Sequence, residues 1–153
     1  MEIFNMSLSA KFSGLLFFLK RSKQEFEMVA DEIENNPLRT ALNGLSDESN
    51  YYAGEIKSYL KSLGIPTGAL EEKKDGAEEM YDNYPVTEEA GQGNELLSIC
   101  THNEDKLLQA YSELLEEPIP FQSLKEIMIC QFNALKYTFL KIKTLNTARF
   151  AAY

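Results

Sequence analysis

The chain has 153 residues, 24 acidic against 15 basic side chains, a net charge of −9 and 44% hydrophobic content. That length makes one domain, able to bury a full core without disulfide or metal staples. The acidic balance argues against a nucleic-acid-binding face and against attraction to an anionic membrane surface, since both need a broad basic surface.

The first helical pattern covers about 7–35. Leu8, Phe12, Leu15, Leu19, Ser22, Phe26, Val29 and Ile33 recur at alternating steps of four and three, the period of a bundle-facing stripe. Ser22 is its one polar member. The apolar patch Leu15 to Leu19 is too short to span a bilayer. The basic run Lys20-Arg21-Ser22-Lys23 follows it directly with no cleavage signature, so a cytoplasmic protein is expected.

Asn36-Pro37 reads as N-cap and first helical residue of a second helix over about 37–63. Its stripe is Leu38, Leu42, Leu45, Ser49, Tyr52, Ile56, Tyr59 and Leu63. Gly64 is placed to cap its end, and Pro66 follows. Gly44 and Gly54 inside it would suit close helix approach. Residues 64–94 are acidic and glycine-rich, with no sustained stripe. A short helix over about 69–84 is compatible with Leu70, Met80, Tyr81 and Tyr84, and the segment as a whole suits a crossover along a bundle.

A third helix over about 95–117 shows Leu97, Cys100, Asn103/Glu104, Leu107, Tyr111 and Leu114. A fourth over about 120–146 shows Leu124, Met128, Gln131, Leu135, Thr138, Ile142 and Leu145, after a bend at Pro118 and Pro120. Two helical hairpins joined by a long crossover predict an all-α, ferritin-like four-helix bundle as a single domain over 1–153. Cys100 and Cys130 are too few for a disulfide framework. Their distances from the bend differ by roughly 10 Å of helix, too much for a disulfide, so two reduced, buried thiols are expected.

Counting from each bend brings Ser22, Glu48 with Ser49, Asn103 with Glu104, and Gln131 towards one mid-height layer. Ferritin-like bundles hold paired iron or manganese at that height, with a Glu from each of two helices and Glu-x-x-His from each of the others. Here Glu48 is followed at i+3 by Tyr51 and Gln131 by Ala134, and the first helix offers Ser22 or Leu19 in place of a Glu. Two carboxylates without imidazole make a poor site for hard cations. The expectation is therefore no metal and no cofactor; a metal, if present, would sit on Glu48 and Glu104. Ser22, Glu48, Ser49, Asn103, Glu104 and Gln131 are expected to form a structural polar layer in which amides and hydroxyls satisfy the carboxylates.

Glu48-Ser49-x-x-Tyr52-x-x-Glu55-Ile56, Cys100-x-x-x-Glu104-Asp105 running into Ala110-Tyr111, and Leu124 through Gln131 to Leu145 resemble the ferritin-like bundles grouped as domain of unknown function 2383. The resemblance covers roughly 12–63 and 95–146. It implies a four-helix ferritin-like fold with no assigned activity; the link 64–94 departs from the family, which usually carries a more basic, Trp-containing helix there.

His102, the single histidine, stands two residues before Glu104 and so points about 200° away from it on a helix; the two cannot share a metal. Tyr51, Tyr52, Tyr59, Tyr111 and Tyr137 are expected in the core with hydroxyls at the rim. The functional expectation is a non-enzymatic, metal-free interaction or stress-associated module with a protein partner or a homo-oligomeric state. The alternatives are a residual di-iron or di-manganese oxidase or iron-handling site on Glu48 and Glu104, and a small apolar ligand held in the bundle core.

Overall fold

The computed structural model describes residues 6–65, 67 and 93–151. The described residues form four α-helices and no strand: α1 (Met6–Glu32), α2 (Asn36–Ser62), α3 (Gly93–Leu115) and α4 (Gln122–Ala151). The crossover expected over 64–94 and the short helix within it lie almost wholly outside the described residues.

Each helix starts or stops where its backbone groups find partners. The N-cap of α2 is Asn35, one residue before the expected Asn36: its Oδ1 accepts from the Leu38 N–H at 3.1 Å, and Pro37 sits where no N–H is missed. At the other end Gly64 takes φ +80°, its N–H reaching Lys61 O while the Ile65 N–H reaches Leu60 O. These two bonds close a Schellman motif that only a glycine adopts without strain.

The apolar stripes bury as their spacing dictates. Every member of the α1 series, Ser22 included, is buried. Leu16, Phe17, Phe18 and Ala30 are buried beside them, so α1 is covered around more than one stripe. On α4, Leu124, Met128, Gln131, Leu135 and Ile142 are buried, joined by Phe139. The α2 stripe drifts at its end, where Leu60 is buried and Leu63 is 37% exposed.

Side-chain pairs fix the directions of the helices. Ser46 Oγ donates to Lys23 O across α1 and α2; Lys11 meets Glu117 and Asn103 meets Glu25 across α1 and α3. Glu48 meets Thr138 and Glu55 meets Gln131 across α2 and α4. Across α1–α3 and across α2–α4 rising numbers on one helix face falling numbers on the other, and the short link 33–35 turns α2 back along α1, so each of these pairs is antiparallel. α1 packs on α2 and α3, and α4 packs on the same two, closing a ring around one core. The order up-down-down-up follows, with α2 ending and α3 beginning at opposite ends of the bundle.

Three expectations need correction. Cys100 is buried but Cys130 is exposed, because it lies about 100° off the stripe that holds Gln131. Tyr51 and Tyr137 are 65% and 71% exposed, each one residue off the inward positions Tyr52 and Thr138. Gly44 and Gly54 do not seat a neighbouring helix: a Cβ at either would meet nothing within 4 Å.

Candidate functional site

The polar residues of the interior divide between two heights. On α2, Glu48, Tyr52 and Glu55 occupy successive turns of one face. Glu48 accepts from Tyr52 Oη at 2.7 Å and from Thr138 Oγ1 at 2.8 Å, so both of its oxygens are engaged by neutral donors. One step further along, Gln131 bridges three helices. Its Oε1 accepts from Tyr111 Oη at 2.7 Å, and its Nε2 donates to Glu55 Oε1 at 2.8 Å and to the Tyr52 carbonyl at 3.4 Å.

Glu48 opposite Thr138 and Glu55 opposite Gln131 are seven residues apart along both helices, about 10 Å. Counting from the bends had put Gln131 level with Glu48. The two bends lie at opposite ends of the bundle, and α2 and α4 run to 27 and 30 residues, so the counts from the two ends do not meet. Thr138 is the α4 residue at the height of Glu48.

The other polar residues stand on different seams. Asn103 on α3 donates to Glu25 Oε2 at 2.6 Å, and Arg21 stands 3.6 Å from the other oxygen of Glu25. Glu104 turns to α4, where Lys143 Nζ lies 2.7 Å from its Oε1 as an ion pair. Ser49 Oγ donates to its own helix at Leu45 O, and Ser22 is buried on α1. Glu48, Ser49, Asn103, Glu104 and Gln131 thus each find their partner outside the group of six.

Burial sets the protonation states. It is the main cause that pushes the Tyr111 phenol well above its ordinary value, with Tyr52, Glu48 and Glu55 adding to it. The Tyr52 phenol is raised by burial and by its bond to Glu48. Both therefore stay neutral donors near neutral pH and neither supplies a base. Burial raises Glu25 as well, against the opposing pull of Asn103, Arg21 and His102. Burial, then Glu25 and Glu104, push the Cys100 thiol up to about 12, which removes thiolate reactivity.

Among the described residues no three His, Cys, Asp or Glu side chains gather as a metal-ligand set. Glu48 and Glu104 face different seams, and Glu104 already has an ammonium against it. Beside Glu104 a cavity of about 60 Å³ is bounded by Cys100, Thr101, Phe139, Ile142, Lys143 and Asn146, room for a water or two but not for an organic ligand. Between α2 and α4 an open groove runs past Gly44, Asp47, Tyr51, Tyr137, Lys141 and Leu145, with Glu48 and Tyr52 in its floor.

The sequence pattern passed over Glu25, Lys143 and the pairing role of Thr138. Thr138 was legible as a hydroxyl inside an apolar stripe. Glu25 and Lys143 are charged residues beside their stripes, which spacing alone does not separate from solvent-facing charges. No helix among the described residues is long and apolar enough to cross a membrane. No family model matches the chain, and no match is found for it among curated proteins or solved structures.

Proposed function

We propose that this chain is a ferritin-like bundle that carries no resident metal and works as a protein-interaction module, its partner a second copy of itself docked through the α2–α4 face. The up-down-down-up order with a long connection between its second and third helices supports the ferritin-like reading, and the resemblance to domain of unknown function 2383 points the same way. The interior carboxylates are already committed to Tyr52, Thr138, Asn103, Gln131 and Lys143. A dinuclear iron or manganese centre on Glu48 and Glu104 would have to break two hydrogen bonds and displace an ammonium, with no imidazole to assist. The two free thiols suit a reducing, cytoplasmic location.

One observation carries the docking proposal. Tyr51 and Tyr137, 65% and 71% exposed, line one groove from opposite walls. Exposed large apolar side chains gathered on one face are the usual mark of an interaction surface. The groove has an acidic wall at Asp47 on α2 and a basic wall at Lys141 on α4. A two-fold axis through it would set each copy's Asp47 wall against the other's Lys141 wall and cover the tyrosines.

Sedimentation equilibrium tests this directly. The chain should dimerise, and Tyr137→Glu should abolish the dimer. Asp47→Lys and Lys141→Asp should each weaken it at least tenfold, and the two together should restore it. A monomer at about 100 μM, or a dimer indifferent to all four variants, would overturn the proposal.

A further inference from the structure

The groove between α2 and α4, about 1070 Å³, carries more than exposed tyrosines. Its floor holds Glu48, half-buried, whose two oxygens accept only from the Tyr52 and Thr138 hydroxyls. Asp47 lies beside it on the α2 wall. Among the described residues, no lysine, arginine or histidine nitrogen stands within 4 Å of either carboxylate. Hydroxyls satisfy the hydrogen-bonding capacity of Glu48 but leave its charge in place, and a half-buried charge is screened less than an exposed one. Glu55, two turns on along the same face, accepts from the Gln131 amide, again a neutral donor.

Of the described residues that line the groove, Lys141 alone is basic, one ammonium against two carboxylates. The pairing of Glu48 with Thr138 fixes where it stands. In an antiparallel pair Lys141 falls level with position 45, about 4.5 Å towards the start of α2. The tyrosines lie the other way. Tyr137 falls level with position 49, and Tyr51 two residues beyond it on the opposite wall, about 3 Å further along the axis. Two aromatic rings, whose faces carry partial negative charge, thus flank a carboxylate that no cation answers.

We infer that this end of the α2–α4 groove binds a small organic cation, an alkylated ammonium. Its methyl groups lie against the Tyr51 and Tyr137 rings, and its charge lies over Glu48 and Asp47. Aromatic walls over an acidic floor suit a weakly hydrated ammonium, which gives up little water to enter. Bare ammonium has the charge but no apolar surface for the rings to cover. A neutral compound of the same shape covers the rings and leaves the carboxylates unanswered.

The experiment is calorimetric titration of the whole chain with choline, ammonium and 3,3-dimethylbutanol, the last having the shape of choline without its charge. Choline should bind one site per chain at least tenfold more tightly than either of the others. Tyr51→Ala with Tyr137→Ala should weaken choline at least tenfold; both side chains are exposed, so the fold is kept. Glu48→Gln should weaken choline at least tenfold and leave dimethylbutanol unchanged. Asp47→Asn, which touches no interior bond, should weaken it at least threefold. Co-sedimentation with phosphatidylcholine vesicles as well would assign the ammonium head to a lipid, and choline binding alone to a free solute. The site shares a face with the proposed dimer without depending on it, and Lys141→Asp separates the two: it weakens the dimer but should tighten choline at least threefold. Choline binding by that variant upholds the cation site whether or not the unaltered chain dimerises. No binding to it, equal binding of ammonium or dimethylbutanol, or choline binding that survives both the tyrosine pair and the two acid substitutions would overturn the proposal.

Discussion

Gln131 and Asn103 are both buried amides, 2% and 0% exposed, and the protein treats them differently. Gln131 is bonded at both ends: its carbonyl takes the Tyr111 hydroxyl, and its amide gives to Glu55 and to the Tyr52 carbonyl. Asn103 is bonded at one end only, its Nδ2 on Glu25, while its buried Oδ1 has no partner among the described residues. A buried amide that satisfies all its groups fixes the register of three helices; one with an orphaned acceptor returns less than it costs to desolvate. The α2–α3–α4 seam is therefore held by polar bonds as well as packing. The α1–α3 seam has the Lys11–Glu117 and Asn103–Glu25 contacts but leaves the Asn103 acceptor unpaired.

The largest effect should come from Gln131→Leu. It strands the Tyr111 hydroxyl inside the bundle and removes the donor on Glu55, and should destabilise by about 2–3 kcal/mol in chemical denaturation. Tyr111→Phe removes one bond of the same chain and should cost about 1–2 kcal/mol. Because the two variants share that bond, the double variant should cost clearly less than their sum. Strict additivity would mean that the bond does not persist in solution.

The stripes that built the fold were legible because burial on a helix has a period. Phe12, Leu15, Leu19, Leu38, Leu42, Leu107 and Leu135 were placed by spacing alone and all are fully buried. The pairing of polar side chains was not legible, because it depends on which residues of different helices share a height. A miscount of two turns moves Gln131 from Glu48 to Glu55. Both carboxylates sit on the same α2 face, so the sequence holds no signal to choose between them. Lys143 was missed for another reason: a half-exposed lysine next to a stripe looks the same whether it faces water or Glu104.

Asn103→Leu sharpens the contrast through pH. Glu25 has its carboxyl raised above the ordinary value by burial, so its contribution favours folding while protonated and is lost as pH rises through the folded value. Asn103 opposes that rise from α3, together with His102, and Arg21 opposes it from α1. Removing the Asn103 donor should raise Glu25 further. The variant should therefore lose about 1 kcal/mol at pH 7 and little or nothing near pH 4, where the leucine also removes an orphaned acceptor. Glu25→Gln, which cannot ionise, should flatten that pH dependence. A cost that is the same at both pH values would show that Glu25 and Asn103 do not meet.

The smallest effect is expected at Lys143, and it bears on whether Glu104 needs its cation at all. The contact is short, 2.7 Å, but Lys143 is 55% exposed while Glu104 is nearly covered. A pair so placed is screened from one side, and exposed ion pairs contribute roughly 0–1 kcal/mol. Lys143→Ala should therefore cost no more than about 0.5 kcal/mol at low salt and nothing measurable in molar salt. Glu104 is 9% exposed, against 2% for Gln131. A loss of several kcal/mol that persists in high salt would mean that Glu104 is sealed and that Lys143 is its sole neutralising charge. That result would make the Lys143–Glu104 pair a second polar tie between α3 and α4 beside the Gln131 bridge, and would widen the contrast with the seam around Asn103.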